Sequence, residues 1–189
     1  MKLVNFNKLK PTLSDIDEYY QSALSAIESY YDDKLNLNYK RLFDKMSQSE
    51  VDEKHIQSLN ELSMEAGLML LAFIESEFRT DFVKRIENRK GKLVGLNKYF
   101  RDDYNPACPI YQYSLSSIFH GWKNYYGNCS KAMTDILNTL PQYYDYRNWI
   151  AHGRYWVYKE SNYQSKYKYQ ALQMMAYNVL SEFNGKFLK

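Results

Sequence analysis

Cysteine is scarce in this chain: Cys108 in PACP and Cys129 in GNCSK are the two among 189 residues, and they form no CxxC pair. That is too few for a disulfide scaffold, so both are read as free thiols. Long apolar runs are missing too. The longest, residues 66–74, holds nine residues, well short of the roughly 20 that cross a bilayer, so no membrane association is expected. The opening MKLVNFNKLKPTLSD has no continuous apolar region and no small-residue cleavage site, and a cytoplasmic location is the expectation. The chain has three histidines. No second histidine or carboxylate cluster accompanies His152, so neither a metal nor another cofactor is expected. A P-loop, a dinucleotide fingerprint and a nucleophile elbow are all absent, as is any internal repeat. Strand-like alternation is confined to residues 154–158.

What is present is helical periodicity. Ile16, Tyr19, Tyr20, Ala23, Ile27, Tyr30 and Tyr31 recur at helical spacing behind Pro11, Thr12 and Ser14, with acids in the first turn. A break at Asn36-Leu37-Asn38 follows from side-chain amides that compete for backbone hydrogen bonds. Ser49 with Asp52 signals a second start. From there Ile56, Leu59, Leu62, Ala66, Leu70, Phe73, Ile74, Phe78 and Phe82 trace one long central helix, whose apolar middle GLMLLAFIE predicts burial on several sides. KLVGLNKYF is a short helix or an irregular connector, and Asn105-Pro106 with Cys108-Pro109 makes a loop. Residues 114–126 form a further helix; its His120 is expected to be packed or solvent-exposed, without a polar partner in the adjacent turn. KAMTDILNTL, capped by residues 128–130, ends at Pro141, which opens another helix, QYYDYRNWIAHG. A last helix is expected over residues 165–187. The fold class is therefore all-α: an up-and-down bundle of five to six helices in one domain over 1–189, with residues 1–48 an acidic helical segment packed on it.

Charge is unevenly spread. Residues 15–77 hold 14 acidic and 5 basic residues, and residues 78–189 hold 17 basic and 8 acidic. Within the basic half, Lys84, Arg85, Arg89, Lys90, Lys92, Lys98 and Arg101 are countered in sequence by Glu87 alone. Such a half can attract a polyanion, or the two halves can neutralise each other in the folded protein or across a dimer. Most of the 20 tyrosines are expected to pack rather than to stack on bases.

The chemistry-bearing stretch is residues 146–153, YRNWIAHG. On a helix, Asn148 and His152 are four apart and share a face, so the amide can orient the imidazole. Arg147 lies about 140° round from His152 and must reach to join them. Trp149 and Ile150, on the opposite side, anchor the helix, and Gly153 ends it in a left-handed turn. These groups suit metal-independent cleavage of RNA: His152 as base or acid, Arg147 as the positive charge on the pentavalent phosphate. One histidine cannot be acid and base at once, and a two-fold dimer supplies the second. Glu75 has two readings, an i,i+4 partner of Arg79 or a carboxylate that reaches this site. A purely structural role for Arg147 and His152, with Arg147 paired to Asp145 or to an acid of the central helix, is the third alternative. Lys84, Arg85 and Arg89, with Tyr146 and Arg154 beside the motif, are the candidate RNA contacts.

The string RNxxAHG, an arginine and a histidine separated by four residues, resembles the signature of the HEPN superfamily (higher-eukaryote and prokaryote nucleotide-binding domains). The run LLAFIESEFR, with Glu75, is similar to the second-helix pattern of several of its families. The resemblance implies an all-α bundle, a homodimer paired across the signature helices, and a composite ribonuclease site with Arg147, Asn148, His152 and Glu75. It also implies a toxin or anti-phage effector that works with an antitoxin or other defence partner. The alternative within the same family is a module that binds RNA, a nucleotide or a protein without catalysis. The acidic first 60 residues and the tyrosine-rich connection at 154–169 have no counterpart in that pattern.

Overall fold

The computed structural model describes residues 10–87, 95–107, 109–127, 130–154 and 156–188. Among them the chain is all-helical, with no strand: α1 (Leu13–Asp32), α2 (Leu37–Phe43), α3 (Gln48–Glu87), α4 (Gly95–Asp103), α5 (Leu115–Tyr126), α6 (Lys131–Ala151), α7 (Tyr163–Lys166) and α8 (Tyr169–Glu182). Eight helices exceed the five to six expected because the short α2 and α7 stand as separate pieces. Residues 154–158 form turn, bend and irregular chain where they are described, not a strand.

The axis is α3, 40 residues or about 60 Å long. Its start is set by Ser47, whose backbone N–H donates to Glu50 Oε2 at 2.7 Å and whose hydroxyl does so at 2.9 Å. Ser47 and Glu50 thus make the cap expected of Ser49 and Asp52, and the helix begins earlier. Leu62, Ala66, Leu70, Leu71, Ile74, Phe78 and Phe82 are buried along it. In the run 66–74 only Ala72 is exposed, because α1, α4, α5, α6 and α8 all pack against α3. Gly67 permits a close approach of α8: a Cβ there would lie 2.5 Å from Leu172 Cδ1.

The N-terminal acidic helix α1 is opened by a capping box between Thr12 and Asp15. It lays Leu13, Ile16 and Tyr20 into the same core as the other helices, and Tyr20 stacks on Tyr169 at 3.6 Å. Its buried stripe is narrower than expected: Tyr19 and Tyr30, like Ile56 on α3, are exposed.

Two expected boundaries differ. Pro141 lies inside α6 and does not open a new helix. The lost hydrogen bond is offset by burial of Leu137, Leu140 and Tyr144 on either side of it. The final helix is interrupted at Tyr167, whose ring turns beneath Tyr146 at 4.4 Å, and α8 stops at Glu182 so that Phe183 and Phe187 fold onto Trp122, each at 5.2 Å.

Candidate functional site

The second half of α6 buries two faces. Tyr144 points to α3 and donates its hydroxyl to Leu71 O at 2.9 Å; burial raises its pKa well above the usual phenol range, with the Glu75 carboxylate adding to the effect. Tyr146 and Trp149 point the other way, into Tyr158, Tyr163 and Tyr167, and Trp149 Nε1 donates to Trp156 O at 2.8 Å. The tyrosine-rich connection is therefore a brace behind the motif. Burial pushes Tyr167 up to about 12 and Tyr146 higher still, so these rings stay neutral and apolar around them.

Two faces buried leave a strip outward: Asp145, Asn148 and His152 are all exposed. Asn148 and His152 share this strip, as their spacing requires, but the polar contact of Asn148 is to its neighbour: Arg147 Nη1 donates to its Oδ1 at 3.2 Å. The motif ends in a double turn. Arg154 N–H bonds to Trp149 O at 3.1 Å and Gly153 N–H to Ile150 O at 3.0 Å, with Gly153 at φ 79° and Arg154 at φ 56°. Glycine suits the first; the second, uncommon for an arginine, is held by the bond from Arg154 Nη1 to Glu61 Oε1 of α3 at 2.8 Å. His152 occupies the C-cap position just before them, its ring 6.4 Å from that of Trp156.

Arg147 reaches inward instead. Its Nη2 lies 3.7 Å from Glu75 Oε2, while Arg79 Nε donates to Glu75 Oε1 at 2.6 Å and Arg79 Nη1 to Tyr113 O at 2.9 Å. Both readings of Glu75 thus coexist, one per oxygen. Asp145, the other acid considered for Arg147, pairs with Lys159 at 2.7 Å. Arg147 Nε is occluded and has no partner. A cleft of about 360 Å³ opens here, lined by Glu75, Arg79, Ser114, Ser116, Arg147 and Asn148 among others. A second cleft of about 330 Å³, across Asp145 and Asn148, is lined by Trp156, Val157 and Lys159. His152 lines neither.

Within one chain, then, the arginine and the histidine do not converge. Arg147, Asn148 and Glu75 meet at the first cleft, and His152 stands at the capped end of α6.

Several expected RNA contacts have other employment. Tyr146 is buried under Tyr167 and presents no face to a base. Arg85 is buried: it donates to Asp81 at 2.6 Å, Asn97 at 2.9 Å and Lys186 O at 2.5 Å. The sequence count against Glu87 alone overlooked Asp81, one helical turn back. Lys84 donates to Leu188 O at 3.2 Å and Lys98 pairs with Asp102. Arg154 is partly exposed but spoken for by Glu61. Arg89 lies outside the described residues. His120, expected without a polar partner, lies 2.9 Å from Asn124 Nδ2, an i+4 amide within reach, and is exposed. The i,i+4 pair of Arg79 with Glu75 is as expected, whereas Ser114 and Ser116 were missed by sequence reasoning. The serines sit far from the motif in sequence, and only the packing of α5 on α3 and α6 brings them to it.

Among the described residues no group of histidine, cysteine and acidic side chains has metal-binding geometry, and no helix is long and apolar enough to cross a membrane. No family model, curated protein or solved structure matches this chain.

Proposed function

We propose that this protein is a metal-independent endoribonuclease of HEPN type, acting as a homodimer. The observation that carries the reading is the presentation of RNxxAHG: an arginine set in an open cleft against Glu75 of the core helix, and an exposed histidine at a rigidly capped, aromatic-braced helix end. A fixed backbone with free side chains is what a catalytic helix end needs. In the reaction, the 2′-hydroxyl attacks the adjacent phosphorus, the bond to the 5′-oxygen breaks, and a 2′,3′-cyclic phosphate and a 5′-hydroxyl result. His152 of one copy removes the 2′-proton and His152 of the second protonates the leaving oxygen. Arg147 stabilises the phosphorane charge, and Asn148 and Glu75 orient it. Its biological setting would be that of a cytoplasmic toxin or anti-phage effector restrained by an antitoxin or defence partner.

The test is incubation of purified protein with labelled RNA in EDTA. Cleavage by wild type that disappears in His152→Ala, with helicity and dimerisation intact, is the expected result; cleavage retained by His152→Ala ends the proposal. A second reading, a non-catalytic module that binds RNA, a nucleotide or a protein, draws on the pairing of Arg147 with Glu75, which occupies the arginine when nothing is bound. Binding to RNA without cleavage supports that one.

A further inference from the structure

The chain that follows the motif braces α6 with its backbone and leaves an aromatic side chain over. Trp156 accepts the Trp149 indole N–H at its carbonyl oxygen, at 2.8 Å, so the brace does not call on the Trp156 ring. That residue is 40% exposed, and Val157 beside it is 94% exposed. One exposed apolar residue is ordinary on a protein surface. These two are adjacent, and together they wall the second cleft of about 330 Å³, within the range of about 300–1,000 Å³ usual for small-molecule sites.

The facing wall is α6, which contributes Asp145 and Asn148. Asp145 is paired with Lys159 at 2.7 Å, so the charges that line this cleft cancel and a free anion gains little there. Asn148 lines both clefts, and its oxygen accepts from Arg147 at 3.2 Å. An amide whose oxygen is committed presents its NH2 to a ligand as donor. An indole face, a branched apolar wall and an amide donor in a cleft without net charge match a nucleobase. Its rings stack on an aromatic face, and its carbonyl oxygens or ring nitrogens accept from an amide. The Trp156 ring lies 6.4 Å from that of His152, so a base seated here belongs to a nucleotide beside the reacting phosphate.

We propose that the cleft between α6 and residues 156–159 is a nucleobase subsite, with the Trp156 indole as stacking platform, Val157 as side wall and Asn148 as hydrogen-bond donor. It rests on the ribonuclease reading for its role in choosing where the chain is cut; as a site for a single-stranded RNA base it stands alone. The tyrosine-rich connection then has two sides, packed rings beneath the motif and a base reader on the surface.

The test uses the full chain and two uncleavable probes of equal length and charge: a short 2′-O-methyl RNA, and the same backbone without bases. Binding is followed by the indole N–H NMR signals of the three tryptophans. The Trp156 signal should shift saturably with the base-bearing probe and not with the abasic one, while Trp122, 0% exposed, stays still. Trp156→Ala should weaken the base-bearing probe at least about fivefold and leave the abasic probe unchanged. Its unfolding midpoint should stay near wild type, because the carbonyl that braces Trp149 is retained, and Trp156→Tyr should restore most of the binding. Equal affinity for the two probes, or wild-type binding by Trp156→Ala, overturns the inference. So does a Trp156→Ala protein that dissociates with binding per chain unchanged, which assigns the indole to a contact between copies. The nuclease reading fails separately. Base-dependent binding without cleavage of ordinary RNA in EDTA keeps the subsite and removes the nuclease, whereas cleavage with the same KM and kcat in Trp156→Ala and wild type does the opposite.

Discussion

Two carboxylates stand less than two turns apart on α3, Asp81 paired with Arg85 of the same helix and Glu75 with Arg147 of α6, and the two pairs have opposite characters. Asp81 and Arg85 are closed: their side chains are 0% and 6% exposed, 2.6 Å apart. Asp81 also accepts from Leu188 N–H at 2.8 Å, and Arg85 reaches Asn97 and Lys186 O. Glu75 and Arg147 are open: 19% and 35% exposed, 3.7 Å apart, with Arg147 Nε lacking any partner. Closure fastens the chain's last described residues to the core. Openness leaves a charged group with capacity to spare beside a cavity. A buried, fully bonded pair resists loss of either member, whereas a solvent-screened pair contributes little to folding. The first is structural by this measure and the second is available for function.

The sharpest way to break the contrast is Arg85→Ala. It strands Asp81 in the core and should destabilise the protein by about 3–5 kcal/mol, read from chemical denaturation. Trp149→Ala removes the brace behind the motif and should cost about 3 kcal/mol or more; it should also loosen the helix end and depress any cleavage, seen as faster amide exchange at His152 and Gly153. Arg147→Ala, by contrast, should cost about 1 kcal/mol or less. A stability loss comparable with that of Arg85→Ala would erase the distinction between the pairs.

The smallest effect concerns pH. Hydrogen bonds from Thr12 hold Asp15 below its ordinary 3.8, and those from Ser47 hold Glu50 below its ordinary 4.5. A depressed carboxylate contributes stability above its unfolded pKa and loses it as pH falls through its folded one. Both caps should therefore help fully above the ordinary values of 3.8 and 4.5 and fade as pH falls below them. In Asp15→Asn with Glu50→Gln, this part of the acid dependence should vanish.

The same contrast explains what could be read from sequence. The all-α class, α3 and its buried middle, the Thr12 start and the Gly153 turn follow from periodicity and capping chemistry, which are local. Pro141 misled because tertiary burial outweighed a local penalty, and Tyr167 because its ring is claimed by Tyr146 across the chain. At the site, the i,i+4 spacing placed Asn148 and His152 on one exposed strip. Which oxygen of Glu75 meets which arginine depends on how α6 crosses α3. Arg85 shows the limit of counting charge along a sequence: with Asp81 one turn away and both buried, it is a core pair, not a polyanion contact.

The most direct measurement is made on Arg147→Ala, with unfolding free energy and RNA cleavage in EDTA determined on the same preparation beside wild type. An unfolding free energy within about 1 kcal/mol of wild type, together with complete loss of cleavage, is the predicted result. Cleavage at the wild-type rate, or unfolding as easy as that of Arg85→Ala, would contradict the account.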